Sequence, residues 1–119
     1  MNSSTILIRQ VHPSFVQMGR VTSQAFRPTT KDVSKLSTYD GDLIDAESAF
    51  QHYTETLGHE SAGGMGFLVQ ECQTLELKVE SDPVPFPEHV LIEFSAHGRK
   101  QTENISKKLK SFAESRGWL

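Results

Sequence analysis

His12 and His89 are the side chains of this sequence best placed to do chemistry. Each stands where a proline-containing segment meets an apolar run, in "QVHPSF" and "FPEHVLIEF", and an imidazole can exchange a proton near neutral pH. Arg9 lies three residues before His12, Arg27 sits in "AFRP", and Tyr39 and Asp40 are adjacent in "LSTYDG". If the chain brings them to one sheet edge, Arg9, His12, Arg27, Tyr39, Asp40 and His89 form a candidate binding site. Such a site could grip an anion or move a proton on a phosphorylated or nucleotide-like ligand. The plainer alternative is that His12 and His89 hydrogen-bond loop backbone at strand ends, and the sequence favours it because loops need such partners.

A second stretch invites chemistry and refuses it. Residues 58–66 read "GHESAGGMG", one residue from the G-x-S-x-G elbow of serine hydrolases. That elbow needs glycine two residues before the serine and joins a strand to a helix; here His59 occupies the glycine position and a helix precedes a strand. Ser61 is therefore not assigned as a nucleophile, and no catalytic residue is assigned elsewhere. A zinc-protease H-E-x-x-H needs histidine where Gly63 stands, and no lysine follows the glycines as a P-loop requires. The five histidines, His12, His52, His59, His89 and His97, show no metal-ligand spacing, so neither metal nor cofactor is expected. Cys72, the single cysteine, is expected to be a small half-buried apolar residue rather than a reactive thiol.

Elements that could position these groups follow from periodicity. "TILIRQVH" (5–12) reads as a strand stopped by Pro13. Residues 13–42 are polar and irregular, with one or two short strands expected. Ala46, Ala49, Phe50, Tyr53 and Leu57 recur at helical spacing between the N-cap candidate Asp45 and the stop candidate Gly58; His52 beside this stripe is read as a packed or surface residue. A glycine loop then leads into the strand "MGFLVQEC", and "ECQTL" is either a tight connection or a single helical turn. In "LELKVESDP", Leu75, Leu77 and Val79 alternate with charged residues, the period of a half-buried strand. "DPVPFPEH" must be extended, and "VLIEFS" is the last strand. Near the C-terminus, Ile105, Leu109 and Phe112 mark the apolar face of a helix that Gly117 ends, with Trp118 and Leu119 folding back onto the core. This order predicts one α+β domain over 1–119: a mostly antiparallel sheet of about four to five strands with two helices packed on one face.

Charge is segregated along the chain. Residues 1–97 carry six Lys/Arg against thirteen Asp/Glu, a net of −7, and residues 98–119 carry six against two, a net of +4. The basic residues fall mainly off the apolar stripe of the last helix, so they read as its wet side rather than as a nucleic-acid surface. No segment reaches the roughly 18 apolar residues of a membrane helix. The N-terminus lacks the features of a signal peptide, and one cysteine cannot form an internal disulfide, so the expected location is the cytoplasm.

The segments "VHPSFV", "AFRPTTKD", "LSTYDG", "DPVPFPEHVLIEF" and "AESRGWL" resemble a family of small bacterial proteins to which no activity is assigned. The resemblance covers nearly the whole chain and implies a bacterial, single-domain protein. It carries no catalytic residue across. With no complete catalytic motif and an acidic body that complementary charge could steer, the leading expectation is a protein-binding accessory, immunity or antitoxin-like module with a protein partner and no membrane association, its contact surface formed by the acidic body and residues 13–42 with an exposed aromatic patch around Phe15, Phe26 or Phe86. The alternative is a small enzyme acting on a phosphorylated or nucleotide-like ligand through the Arg/His cluster.

Overall fold

The computed structural model describes residues 1–28 and 34–119. Among the described residues seven strands and three α-helices follow in order: β1 Ile6–Val11, β2 Val16–Gln17, β3 Arg20–Val21, β4 Lys35–Asp40, α1 Ala46–Gln51, β5 Gly63–Leu68, α2 Val69–Thr74, β6 Lys78–Ser81, β7 His89–Glu93 and α3 Arg99–Arg116. Five strands form one antiparallel sheet in the order β5-β1-β4-β7-β6, and β2 and β3 form a separate hairpin. The α+β reading and the strand number hold.

Alternation along β1 divides the core in two. Leu7 and Val11 point into the larger cluster with Leu36, Phe67, Ile92 and, from α3, Ile105, Leu109 and Ala113. Ile8 points the other way, into a smaller cluster with Tyr39 and Ala49. Helices therefore cover both faces, α2 and α3 on the first and α1 on the second, where the sequence suggested one. At about 1.5–3 kcal/mol for each fully buried large apolar side chain, the larger cluster carries most of the stability. Of the α1 stripe only Ala49 is buried; Phe50 and Leu57 are each a little over a third exposed. That helix is short because it widens after Gln51 into a π-helical turn, His52–Thr56, in which the Leu57 N–H donates to His52 O at 3.0 Å.

Four local expectations change. The glycine loop is shorter than expected: residues 58–62 connect helix to strand, but Gly63, Gly64 and Gly66 lie within β5. A Cβ on Gly66 would sit 2.8 Å from Ile6 Cγ2 and 3.0 Å from Leu119 Cδ1, so glycine there admits the neighbouring strand and the chain end. "VQEC" is not strand but the start of α2, which takes up the helical alternative for "ECQTL" and is started by the Leu68 N–H donating to Glu71 Oε1 at 2.7 Å. Leu75 belongs to the end of that helix, and Glu76 turns the chain at φ 59°, so the alternating strand begins only after it. Cys72 is fully buried rather than half-buried.

Within 13–42, the described residues contain the β2–β3 hairpin, two 3-10 turns (Pro13–Phe15 and Ser23–Phe26) and the whole of β4; residues 29–33 of that stretch lie outside the described residues. At the C-terminus Gly117 ends α3 at φ 79°. Trp118 then bridges to Met65, and the Leu119 N–H donates to Gly64 O at 2.9 Å, so the chain end covers the free edge of β5.

Candidate functional site

β1 and β4 pair only at Leu7–Asp40 and Ile8–Tyr39. Past Ile8 no further pairs form, and the guanidinium of Arg9 fills the opening. Its Nε donates to Ala25 O at 2.8 Å and its Nη1 to Ser37 O at 3.0 Å. These bonds satisfy carbonyls that a continued ladder would otherwise use. They also tie β1 to β4 and to the 3-10 turn that contains Ala25.

Over this opening lies a cleft of about 530 Å³, within the range of roughly 300–1,000 Å³ usual for small-molecule sites. Arg9 and Gln10 of β1 and Ser37, Thr38 and Tyr39 of β4 form its floor. His12, Ser14, Phe15, Tyr53, Leu57, His59, Phe86 and His89 complete its lining. The sequence-level candidates Arg9, His12, Tyr39 and His89 thus share one concavity. Arg27 and Asp40 do not line it. Arg27 pairs with Glu103 of α3 at 3.5 Å. Asp40 accepts the Asp42 N–H at 2.8 Å and shapes the turn after β4; it lies on the opposite side of the strand from Tyr39, as adjacent strand residues must.

His12 keeps its backbone role while facing the cleft. Its Nδ1 accepts the Ser14 N–H at 3.0 Å and so caps the 3-10 turn. An accepting Nδ1 leaves the proton of the neutral ring on Nε2, which points to Glu60 Oε2 at 3.3 Å. His89 is buried. Its Nδ1 lies 3.1 Å from Asp82 O and 3.2 Å from Asp82 Oδ2, and its Nε2 lies 3.2 Å from Ser37 Oγ.

Aromatic rings make up much of the remaining wall. Phe86 stacks on Tyr39, with centroids 5.1 Å apart and planes at 28°, and meets His89 edge-on at 5.0 Å. His52 closes the same group: its ring lies 4.6 Å from Phe86, and its Nδ1 is 2.8 Å from the Tyr39 hydroxyl. Burial, then the neighbouring Tyr53 and Glu88, push the Tyr39 phenol up to about 12, so it stays protonated across the physiological range. Sequence reading did not place His52, His59, Tyr53 or Phe86 in this site: it took His52 as a packed or surface residue, Tyr53 as part of the helix stripe and Phe86 as part of a partner-facing patch. The available signal was the π-helical turn that aims His52 and Tyr53, and it does not show as periodicity.

Ser61 is a structural residue. Its hydroxyl donates to Gln10 Oε1 at 2.7 Å and accepts the Gly63 N–H at 3.0 Å. Gln10 Nε2, by contrast, is the one buried side-chain polar atom among the described residues without a hydrogen-bond partner, and Gln10 belongs to the cleft floor. Among the described residues no group of three or more His, Cys, Asp or Glu side chains converges as a metal site. None of their helices is long and apolar enough to cross a membrane. Comparison with protein-family models, with curated proteins and with solved structures finds no match to the chain.

Proposed function

We propose that this protein binds a small phosphorylated or nucleotide-like ligand in the cleft over β1 and β4. The observation that carries the reading is the pairing, in one concavity, of the Phe86–Tyr39 stack with the Arg9 cation and the imidazoles of His12 and His89. A flat ring gains about 1–3 kcal/mol from one good aromatic stack, and a single anionic group suits a guanidinium flanked by imidazoles. The unpaired Gln10 Nε2 adds support, since buried polar groups in native proteins are ordinarily satisfied. Calorimetric titration with a panel of nucleoside monophosphates, cyclic nucleotides and sugar phosphates tests it. At least one should bind saturably, and Phe86→Ala should weaken that binding about tenfold or more. No binding across the panel, or binding indifferent to Phe86→Ala, would overturn the reading.

A protein partner is the second reading, and the hairpin between β2 and β3 supports it. Met18 sits at the tip with φ 52° and is fully exposed. Neither the strained backbone nor the exposed apolar side chain serves the fold. The partner expected from the sequence around Phe26 has less support, because Phe26 is entirely buried; Phe15 and Phe86 line the cleft.

A further inference from the structure

Ser37, His89 and Asp82 stand in a row across two strand pairs. Tyr39 and His89 are register partners on β4 and β7, so Ser37, two residues along β4, shares their face and lies diagonal to His89. Asp82 follows directly on β6. Its N–H donates to His89 O at 2.9 Å, which places its side chain beside the imidazole. Both neighbours of His89 Nδ1, Asp82 O at 3.1 Å and Asp82 Oδ2 at 3.2 Å, can only accept. Nδ1 must therefore carry the proton, and the neutral ring presents a bare lone pair at Nε2 to the Ser37 hydroxyl, 3.2 Å away. Ser37 and His89 open onto the cleft, and Asp82 stands behind them.

From this geometry we infer that Ser37 is a nucleophile, His89 its general base and Asp82 the positioning residue, and that the substrate is a phosphodiester of the nucleotide-like class. The inference rests on the ligand-binding reading and gives it a reaction. Serine, histidine and carboxylate in this order are recognised by geometry and role, independent of fold and chain order. The diester follows from the ligand class. Phosphorus is the electrophile that a nucleotide-like ligand offers an activated serine, and a diester presents it with one negative charge where a monoester presents up to two.

In the first step Ser37 Oγ forms a bond to phosphorus and its proton passes to His89 Nε2. The bond from phosphorus to the leaving oxygen breaks, and the imidazolium returns the proton to that oxygen, releasing an alcohol. In the second step water, deprotonated by His89, attacks the phosphoserine ester and displaces Ser37 Oγ, which recovers its proton. The sum is diester plus water giving monoester plus alcohol.

A fluorophosphonate probe tests the nucleophile directly, because it forms a serine–phosphorus bond with loss of fluoride. Intact-mass and peptide analysis should show one adduct, on Ser37. It should be absent in Ser37→Ala and form at least tenfold more slowly in Asp82→Asn and His89→Gln, with circular dichroism confirming the fold. If the buried His89 variant does not fold, Asp82→Asn carries the test, since that carboxylate is partly exposed. Bis(4-nitrophenyl) phosphate should be hydrolysed by the wild type and not by Ser37→Ala. No adduct, an adduct on Ser14 or Ser61, a labelling rate unchanged in Asp82→Asn, or hydrolysis of 4-nitrophenyl acetate without that of the diester would overturn the inference. Ligand binding that persists without labelling sinks the nucleophile and leaves the ligand-binding reading standing. Labelling of Ser37 without binding of any panel ligand does the reverse.

Discussion

Tyr39 shows how burial sets the behaviour of one group. Its phenol is 3% exposed, and the folded chain holds its pKa near 12 against an ordinary value of 10.0. The unfolded chain therefore ionises first as pH rises. The stability linked to Tyr39 is fully present below about pH 10 and is lost between pH 10 and 12. Ultraviolet titration of the folded protein should show a tyrosinate step near pH 12 that is missing in Tyr39→Phe; wild-type tyrosines that all ionise near pH 10 would refute this account. The same low-dielectric surroundings make the phenol a lasting hydrogen-bond partner for His52. Burial likewise pushes the Cys72 thiol up to about 12, which explains why the lone cysteine is packing rather than chemistry. Residue types alone made Arg9, His12, Tyr39 and His89 visible as candidates. They could not reveal Ser37, one serine among many until His89 points at it.

At the scale of elements, α2 and α3 are tied together by one ion pair. Arg116 Nη1 and Nη2 donate to Glu71 Oε1 and Oε2 at 2.8 and 3.1 Å, and the same carboxylate caps the start of α2 through the Leu68 N–H. A bidentate, largely buried bridge of this kind exceeds an ordinary surface pair. Urea denaturation of Arg116→Ala should show a loss of about 1–2 kcal/mol, and Arg116→Lys should recover little of it because an ammonium cannot form the fork. A loss below about 0.3 kcal/mol would mean that the bridge is no more than a surface contact. Period 2 and period 3.6 made β1, β7 and α3 legible. They misread the junction of β5 and α2, because "GFLVQECQTL" is apolar enough for either state. The outcome there rests on Glu71 reaching back to the chain and on Arg116 arriving from α3.

For the whole molecule the question is what the fold leaves unexplained. Folding leaves Met18 at the tip of the β2–β3 hairpin in water and at positive φ, next to Gly19 at φ 79°. Both central residues of a type I′ turn need that conformation, and asparagine adopts it at lower cost than methionine. Met18→Asn should thus raise stability by about 0.5–1 kcal/mol while weakening a protein partner's retention at least tenfold, read by thermal melting and by pull-down of the tagged chain. Increased stability with unchanged retention, or a chain that retains no partner, would remove the second functional reading.

Sequence by itself determined the α+β class, the strand and helix inventory near both termini, the exclusion of Ser61 as an elbow nucleophile, and the wet lysine face of α3. These follow from local periodicity and from motif spacing, which need no knowledge of distant neighbours. Tertiary structure alone decided that helices cover both faces, that Asp40 and Arg27 stay outside the cleft, and that the glycine run is a strand under Trp118 and Leu119. It alone brought Ser37, His89 and Asp82 into line, since antiparallel pairing joins residues some fifty positions apart and register, not spacing along the chain, chooses which side chains meet.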